Sequence, residues 1–555
     1  MQQPNVLSIS THDINPHLGC YRDRWPGAEQ AFTPVLDELA NEGVLFTHAF
    51  AVAPVCSPSR SSIMTGCFPT TIGTMHHRTK AVPPPEVHLL PEYFRAAGYY
   101  TTVNALLDAQ VMAPPTTFDD VSQTAHWRNR PRPDMPFFAS FNGSITHESR
   151  IYLDDDEFLA ATSHVTDGQR HDPAQVVLPP YHPDTAAFRK SWARYLDLIS
   201  EMDHWVGELL RQLDEDGLAD STIVVFWSDH GIGMPRGKRW LNESGLHEPL
   251  IMRWPGRIAR QSVRTDLVSL MDLAPTLLAA CGLPVPPHMQ GVPLLNEDGD
   301  AVPSPNEYVC STRDRMDEQE DTSRSVRDRR YRYIRHFHPD RSPMQHCEYP
   351  DRLATWQDFR NLYFRESEQL ARGENRSLLT ALQRGLVAAT KPREELYDLD
   401  NDPHEVRNLA GDPAHRETVE RLSGRLDEWL TRVNDLGLGD ESALIEDWRP
   451  GGRPRKTETP SAAHEAGLVR LSCATAGASI GWTTQEPVPT RGDPFLPHMQ
   501  LTGVEPNDRG WNVYTGPIPS PDVPVYVRAW RIGFDASDEI VVEPAPSSRA
   551  DAMRG

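Results

Sequence analysis

Five polar residues fall just past short apolar runs: His12 and Asp13 after NVLSIS and a threonine, His147 shortly after PFFASFN, and Asp229 and His230 after STIVVFWS. In an open α/β sheet, ligands bind beyond the C-terminal ends of the strands, so position alone makes these five site candidates. A second feature is CSPSR, Cys56 to Arg60, followed by SSIMTG. A lone cysteine most often ends as an inert buried thiol; activated, it is a covalent nucleophile. Arg60 is permanently charged and presents a fixed fork of donors. Lysine is scarce, with only Lys80, Lys190, Lys238, Lys391 and Lys456 in the chain, so Lys238 inside PRGKRW stands out.

The elements that must position these residues alternate. NVLSIS (5–10) reads as a buried strand, and a helix is predicted over 33–42 with Thr33 as N-cap and Gly43 as stop signal. VLFTHAF is the next strand, leading into the Cys56 segment. A helix near 88–97, a strand at YYTTVNA, the strand PFFASFN (136–142) and a helical stretch over 184–217 follow, feeding STIVVFWSDHG. Strands alternating with helices predict a mainly parallel sheet covered on both faces. From about 306 the texture changes: RDRRYRYIRHF and EELYDLD read as antiparallel strands and 414–436 as an amphipathic helix. The charged run RDRMDEQEDTSRSVRDRR reads as a solvated loop and edge strand. Pro, Gly and charge mark a linker at 447–464, and alternation around Gly-rich turns predicts a small β-sandwich over 465–545. The expected organisation is thus an α/β catalytic domain at 1–305, an α+β subdomain at 306–446, the linker and the β module.

Composition narrows the partners. A net charge of -23 with scattered basic residues argues against a nucleic-acid surface, and no run of about 18 apolar residues offers a membrane span. The start, MQQPNVLSIS, lacks a basic n-region and long apolar h-region, pointing to a cytoplasmic protein or to a secreted one already trimmed. Seven widely spread cysteines form no CxxC pair, so neither a disulfide framework nor a zinc cluster is indicated.

CSPSR with SSIMTG resembles the signature of the type I, formylglycine-dependent sulfatases. Further landmarks follow in family order: PNVLSISTHD, THES around His147, SDHG at 228–231, PRGKRW, HEPLIMRWPG, MDLAPTLLAACG and EELYDLDNDPHEVRNLA, together spanning roughly residues 4–410. THDINPHLGCY and PRGKRWLNESG are nearest in wording to the N-sulfoglucosamine sulfohydrolase branch. The C-terminal stretch resembles the small β-sandwich of chitobiase and hexosaminidase-type enzymes, where Trp482, Trp511 and Trp530 are either sugar-stacking surfaces or, the favoured reading, core or domain-interface residues.

The resemblance implies an alkaline-phosphatase-like fold and sulfuric ester hydrolysis, with a small-molecule or oligosaccharide sulfate as substrate. It implies that a formylglycine-generating enzyme oxidises Cys56. The resulting hydrate carries two hydroxyls on one carbon: one attacks sulfur and displaces the alcohol or amine, and deprotonation of the other collapses the centre, expelling sulfate and restoring the aldehyde. By the same resemblance Arg60 holds the modified side chain, His147 protonates the leaving oxygen, and Lys238 binds sulfate. One divalent cation, calcium first and Mn²⁺ or Mg²⁺ next, is expected on Asp13, Asp229, His230 and the Cys56 position. His12 stands where the family has an aspartate, and is either a ligand or a strand-end histidine. His247 and Glu248 either contact substrate or pack locally.

One departure is larger. After GYYTT the family carries a lysine followed by a polar residue, whereas VNALLDAQ places Leu106 there, with Asp108 in the polar position. Lys80, His76 and His77 are the nearby substitutes, though ordinary loop roles suit them better. Two rivals follow. A formylglycine-dependent phosphonate monoester or phosphodiester hydrolase is favoured by the histidines at 12 and 230, and a catalytically degenerate sulfatase-like binding protein by Leu106.

Overall fold

A computed structural model describes residues 3–79, 81–104, 106–374, 376–487 and 503–544. They group into two compact units, Met1–Thr79 with Ser140–Leu438 and Lys80–Ala139 with Gly439–Gly555. Among the described residues no helix is long and apolar enough to cross a membrane.

The first unit holds a mixed sheet of β1 (Asn5–Thr11), β2 (Val44–Phe50), β3 (Thr222–Ser228), β4 (His247–Arg253) and β5 (Ser262–Arg264), ordered β1-β3-β4-β2-β5. β1 pairs with β3 and β2 with β5 in parallel, while β4 runs antiparallel to both its neighbours. All seven residues of β1 and of β3 are buried, as in strands covered on both faces. The helices that serve this sheet are α1 (Pro34–Asn41), α2 (Cys56–Thr65), α3 (Glu148–Ile151) and α4 (Ala186–Glu215). α4 turns one apolar face inward, burying Trp192, Tyr195, Leu196 and Ile199. Thr33 precedes α1, but its hydroxyl makes no cap; it donates to Asp37 instead, at 3.1 Å. Gly43 is needed for close approach: a side chain there would meet the Met252 carbonyl at 2.0 Å.

The same unit carries an antiparallel sheet of four strands, Val309–Arg313, Ser323–Arg327, Tyr331–His336 and Glu394–Asp398, in that order. The helix Arg416–Val433 packs Leu422, Leu426 and Trp429 onto Val326, Tyr333 and Leu396. The solvated loop and edge strand expected within 313–330 is corrected here. Ser323–Arg327 is an inner strand with every residue buried. Its arginines are tolerated there because each has a buried carboxylate: Arg324 pairs with Asp314 and Asp435, and Arg327 with Glu243.

In the second unit Tyr100–Asn104 pairs in parallel with Asp120–Val121. Two small antiparallel sheets, one built on Leu468–Ser472 and the other on Ser479–Thr483 and Val525–Trp530, enclose Val469, Leu471, Val525 and Val527. Trp511 and Trp530 are buried and meet edge to face at 5.0 Å, while Trp482 is half-buried.

Candidate active site

β1 and β3 run in register, Thr11 opposite Ser228, so the residues that follow each strand emerge side by side. Asp13 turns the chain with φ 54°, a left-handed backbone that aspartate tolerates better than most residues. Its N–H donates to Asp229 Oδ1 at 3.2 Å. α2 delivers Cys56 as its first residue, and all ten of its residues are buried. Ser59 Oγ donates to the Asp229 carbonyl at 2.6 Å, tying the start of this helix to the end of β3.

Cys56 Sγ lies 3.1 Å from His230 Nε2, whose ring places Nδ1 3.1 Å from the Gly231 carbonyl. One turn further, the wholly buried Arg60 donates through Nε to Asp229 Oδ2 at 2.9 Å. Its terminal nitrogens donate to Ser10 Oγ and the Thr11 carbonyl at 3.3 and 3.1 Å. Lys238 Nζ sits 3.1 Å from Asp13 Oδ2 and 2.9 Å from Glu148 Oε1. Its own N–H donates to the Ile232 carbonyl at 2.7 Å. Gly237 is required in this loop, since a side chain there would meet that carbonyl at 2.2 Å.

His147 caps α3. Its Nδ1 accepts from the Ser149 N–H at 3.3 Å, which assigns the proton of the neutral ring to Nε2. The half-buried ring stands edge-on to His12 at 5.6 Å.

Burial opposes every charge in this cluster, and the partners decide the outcome. Burial pushes the Cys56 thiol up, but Lys238 and His230 outweigh it and hold it well below its ordinary value. Burial works against ionised Asp229 too, yet His230, Arg60 and His12 keep its carboxyl well below the usual range. For His230, burial is outweighed by Asp229, Cys56 and Asp13, which push it up to about 9. Glu148 is held low against burial by Arg239 and Lys238.

His12, Asp13, Cys56 and Asp229 each offer one donor atom, and these four atoms lie within 4.8 Å of one another. His230 Nε2 is 3.2 Å from Asp13 Oδ1. Both ring nitrogens of His12 are buried, and Nδ1 is 3.3 Å from Asp229 Oδ2. A buried imidazole beside two buried carboxylates and a sulfur is a donor set that fits a divalent cation.

The sulfatase family profile matches residues 4–283, and the profile described as N-sulphoglucosamine sulphohydrolase, C-terminal, matches 235–384. The chain belongs to the sulfatase family. An ulvan-active sulfatase of Formosa agariphila is 33% identical, covering 98% of this chain and 91% of its own. Human N-sulphoglucosamine sulphohydrolase is 28% identical, with coverages of 80% and 93%. The crystal structure of the phosphonate monoester hydrolase of Agrobacterium radiobacter superposes with a TM-score of 0.55 at 18% identity, covering 78% of this chain and 96% of its own. The fold is the mixed α/β architecture of the alkaline-phosphatase-like class, and the sulfatase is a hydrolase.

Of the site residues expected from this sulfatase's sequence, Cys56, Arg60, His12, Asp13, Asp229, His230, Lys238 and His147 come together within the first unit. His247 and Glu248 are the first residues of β4. His247 spends both ring nitrogens locally, Nδ1 at 2.8 Å from Glu243 Oε2 and Nε2 at 2.8 Å from the Thr47 carbonyl. Glu248 is fully buried, and burial, with Asp229 and Asp13 adding, pushes its carboxyl well above the ordinary value. Leu106 and Asp108 belong to the second unit, and Lys80 lies outside the described residues.

Two residues that the sequence does not single out complete the cluster. Glu148 is buried between Lys238 and Arg239, and Arg239 grips it with two nitrogens at 3.1 and 3.2 Å. The signals were their neighbours, since each directly follows a residue already singled out. Arginine is too common in this chain for one more to draw notice.

Proposed function

We propose that this sulfatase hydrolyses sulfate esters or N-sulfates of a carbohydrate. In this reading Cys56 is matured to formylglycine by a generating enzyme, and one divalent cation is held by Asp13, Asp229, His230 and His12. The observation that carries it is the convergence of the Cys56 sulfur with three donor atoms from His12, Asp13 and Asp229 within 4.8 Å. The names of the two curated relatives, ulvan-active sulfatase and N-sulphoglucosamine sulphohydrolase, support a sulfated sugar as substrate. The cation, when bound, supplies Lewis-acid activation and charge neutralisation; calcium leads on family resemblance, with Mn²⁺ or Mg²⁺ next.

The chain's own residues do the rest. Arg60 holds Asp229 in place through the contact at 2.9 Å and, with His230, keeps it ionised. The ammonium of Lys238, held beside Asp13, steadies negative charge that grows on the sulfate oxygens. His147 donates the Nε2 proton to the leaving oxygen or nitrogen as its bond to sulfur breaks.

The decisive experiment is peptide mass spectrometry across Cys56 in protein from the native host, together with metal analysis and sulfate release from 4-nitrophenyl sulfate. An aldehyde at position 56 in an active enzyme supports the reading, and an untouched thiol in an active enzyme overturns it. The nitrogen-rich pair His12 and His230 favours one second reading, a phosphonate monoester hydrolase carrying Mn²⁺ or Zn²⁺. Faster turnover of an aryl phosphonate than of the aryl sulfate would select it.

A further inference from the structure

Lys238 stands in a line of ion-pairing groups. Lys238 Nζ contacts Asp13 at 3.1 Å and Glu148 at 2.9 Å; Glu148 contacts Arg239 at 3.1 Å; Arg239 contacts Asp317 at 3.6 Å; Asp317 contacts His77 Nδ1 at 3.0 Å. We propose that Glu148 is a positioning residue for catalysis: its carboxylate, balanced by Arg239, clamps the Lys238 ammonium beside Asp13. The proposal rests on the reading of Lys238 as the sulfate-steadying cation.

Four observations point to a built clamp and not to an incidental ion pair. First, Glu148 is 1% exposed, a burial that a carboxylate accepts only with partners for its charge. Second, room has been made for it: a side chain on Gly233 would meet Glu148 Cβ at 2.2 Å. Third, its backbone also serves the site, because the Glu148 N–H donates to Asp13 Oδ2 at 2.7 Å. Fourth, Arg239 takes up φ 83°, a left-handed backbone that costs a non-glycine residue energy and clusters at functional sites. Its N–H donates to the Pro54 carbonyl at 2.7 Å, two residues before Cys56.

The electrostatic logic follows from the order of the charges. An ammonium has three N–H groups, and Nζ is in reach of both Asp13 oxygens, at 3.3 and 3.1 Å, and of Glu148 Oε1 at 2.9 Å, so the two carboxylates together fix where it points. A bare carboxylate at 2.9 Å would cancel the charge that an anionic substrate needs. The bidentate arginine on the far side of Glu148 returns that charge, so the clamp holds Lys238 in place without repelling sulfate. Orientation of this kind is felt in the transition state more than in binding. His147 immediately precedes Glu148, so the same short helix presents the proton donor and anchors the cation.

The test uses the full-length, matured protein with 4-nitrophenyl sulfate, or with an aryl phosphonate if the wild type prefers it. Wild-type turnover of neither ester would sink the functional reading; the ratio of variant to wild type addresses the clamp alone. Glu148→Gln keeps size and burial but removes the charge. It is expected to lower kcat by about 10- to 100-fold with KM changed less than about threefold, while the aldehyde at position 56 and the metal content match wild type. Arg239→Lys keeps a cation but loses the two-pronged grip, and the same kcat-selective loss is expected even if Glu148→Gln fails to fold. An unchanged kcat in a folded variant of either kind, or a loss confined to KM, would overturn the proposal and reduce Glu148 to a structural ion-pair partner.

Discussion

Cys56 Sγ lies 3.1 Å from His230 Nε2, a contact that joins the first residue of α2 to the second residue past β3. In the reading proposed for Cys56, the side chain that reacts is thereby placed before substrate arrives, which is how an enzyme avoids the entropic cost of bringing reactants together.

The first prediction follows from that placement. Cys56→Ala removes the only route to a geminal diol and is expected to lower aryl sulfate turnover by more than about 10³-fold. The backbone of α2 does not depend on the sulfur, so the thermal midpoint should stay within a few degrees of wild type. Calorimetry and steady-state kinetics on the same preparation check both. Retained turnover would remove Cys56 from the mechanism.

How much of this arrangement was legible beforehand depends on the range of the forces involved. Local patterns were readable: NVLSIS and STIVVFWS are apolar runs and became wholly buried strands, and the periodicity over 184–217 became Ala186–Glu215. The register that sets Thr11 against Ser228 was not readable, because it is decided by pairing across two hundred residues of chain. Charge was the least legible quantity. Arg324 and Arg327 looked solvated, and Glu148 looked like the partner of nothing, because their counterions Asp435, Glu243 and Arg239 come from distant segments. The strand-end positions of His12, Asp13, Asp229 and His230 are local features of the sequence, whereas the ion pairs of Lys238 leave no local mark.

A pH prediction concerns His182, away from the catalytic cluster. Its Nε2 donates to the Pro235 carbonyl at 2.7 Å while its Nδ1 accepts from the Trp192 indole N–H at 2.9 Å. That pattern suits the neutral ring and leaves no acceptor for a second proton. Burial accordingly pushes the imidazole down to about 3. The folded value lies below the unfolded one, near 6.5. The stabilising contribution is therefore complete above about pH 6.5 and is lost as pH falls towards 3. Through that window His182 should steepen the fall in stability by up to about 1.4 kcal/mol per pH unit. Urea midpoints measured between pH 7 and 4 should fall less steeply in His182→Gln than in wild type. Parallel slopes would show that another group carries the acid sensitivity.

Cation preference gives a third prediction. His12 brings an imidazole to the cluster, with Nδ1 3.3 Å from Asp229 Oδ2. Nitrogen donors move a site away from calcium and towards manganese or zinc. His12→Asp is expected to raise the affinity for Ca²⁺ relative to Mn²⁺ by about tenfold or more, read by calorimetric titration of the chelator-stripped protein. Unaltered relative affinities would mean that His12 holds no metal.

The final prediction separates proton donation from the rest of the machinery. In the neutral ring His147 keeps its Nε2 proton because Nδ1 accepts from the Ser149 N–H. A donor of this kind matters only in proportion to the charge left on the departing atom. 4-Nitrophenolate leaves readily without a proton, while a sugar alkoxide or amine does not. His147→Gln should therefore cost the nitrophenyl ester less than about tenfold, and a sulfated sugar about 10²- to 10⁴-fold. A plot of log kcat/KM against leaving-group pKa should steepen in the variant. Equal losses across the series would assign His147 to substrate binding, since an interaction made alike with every leaving group transfers no proton.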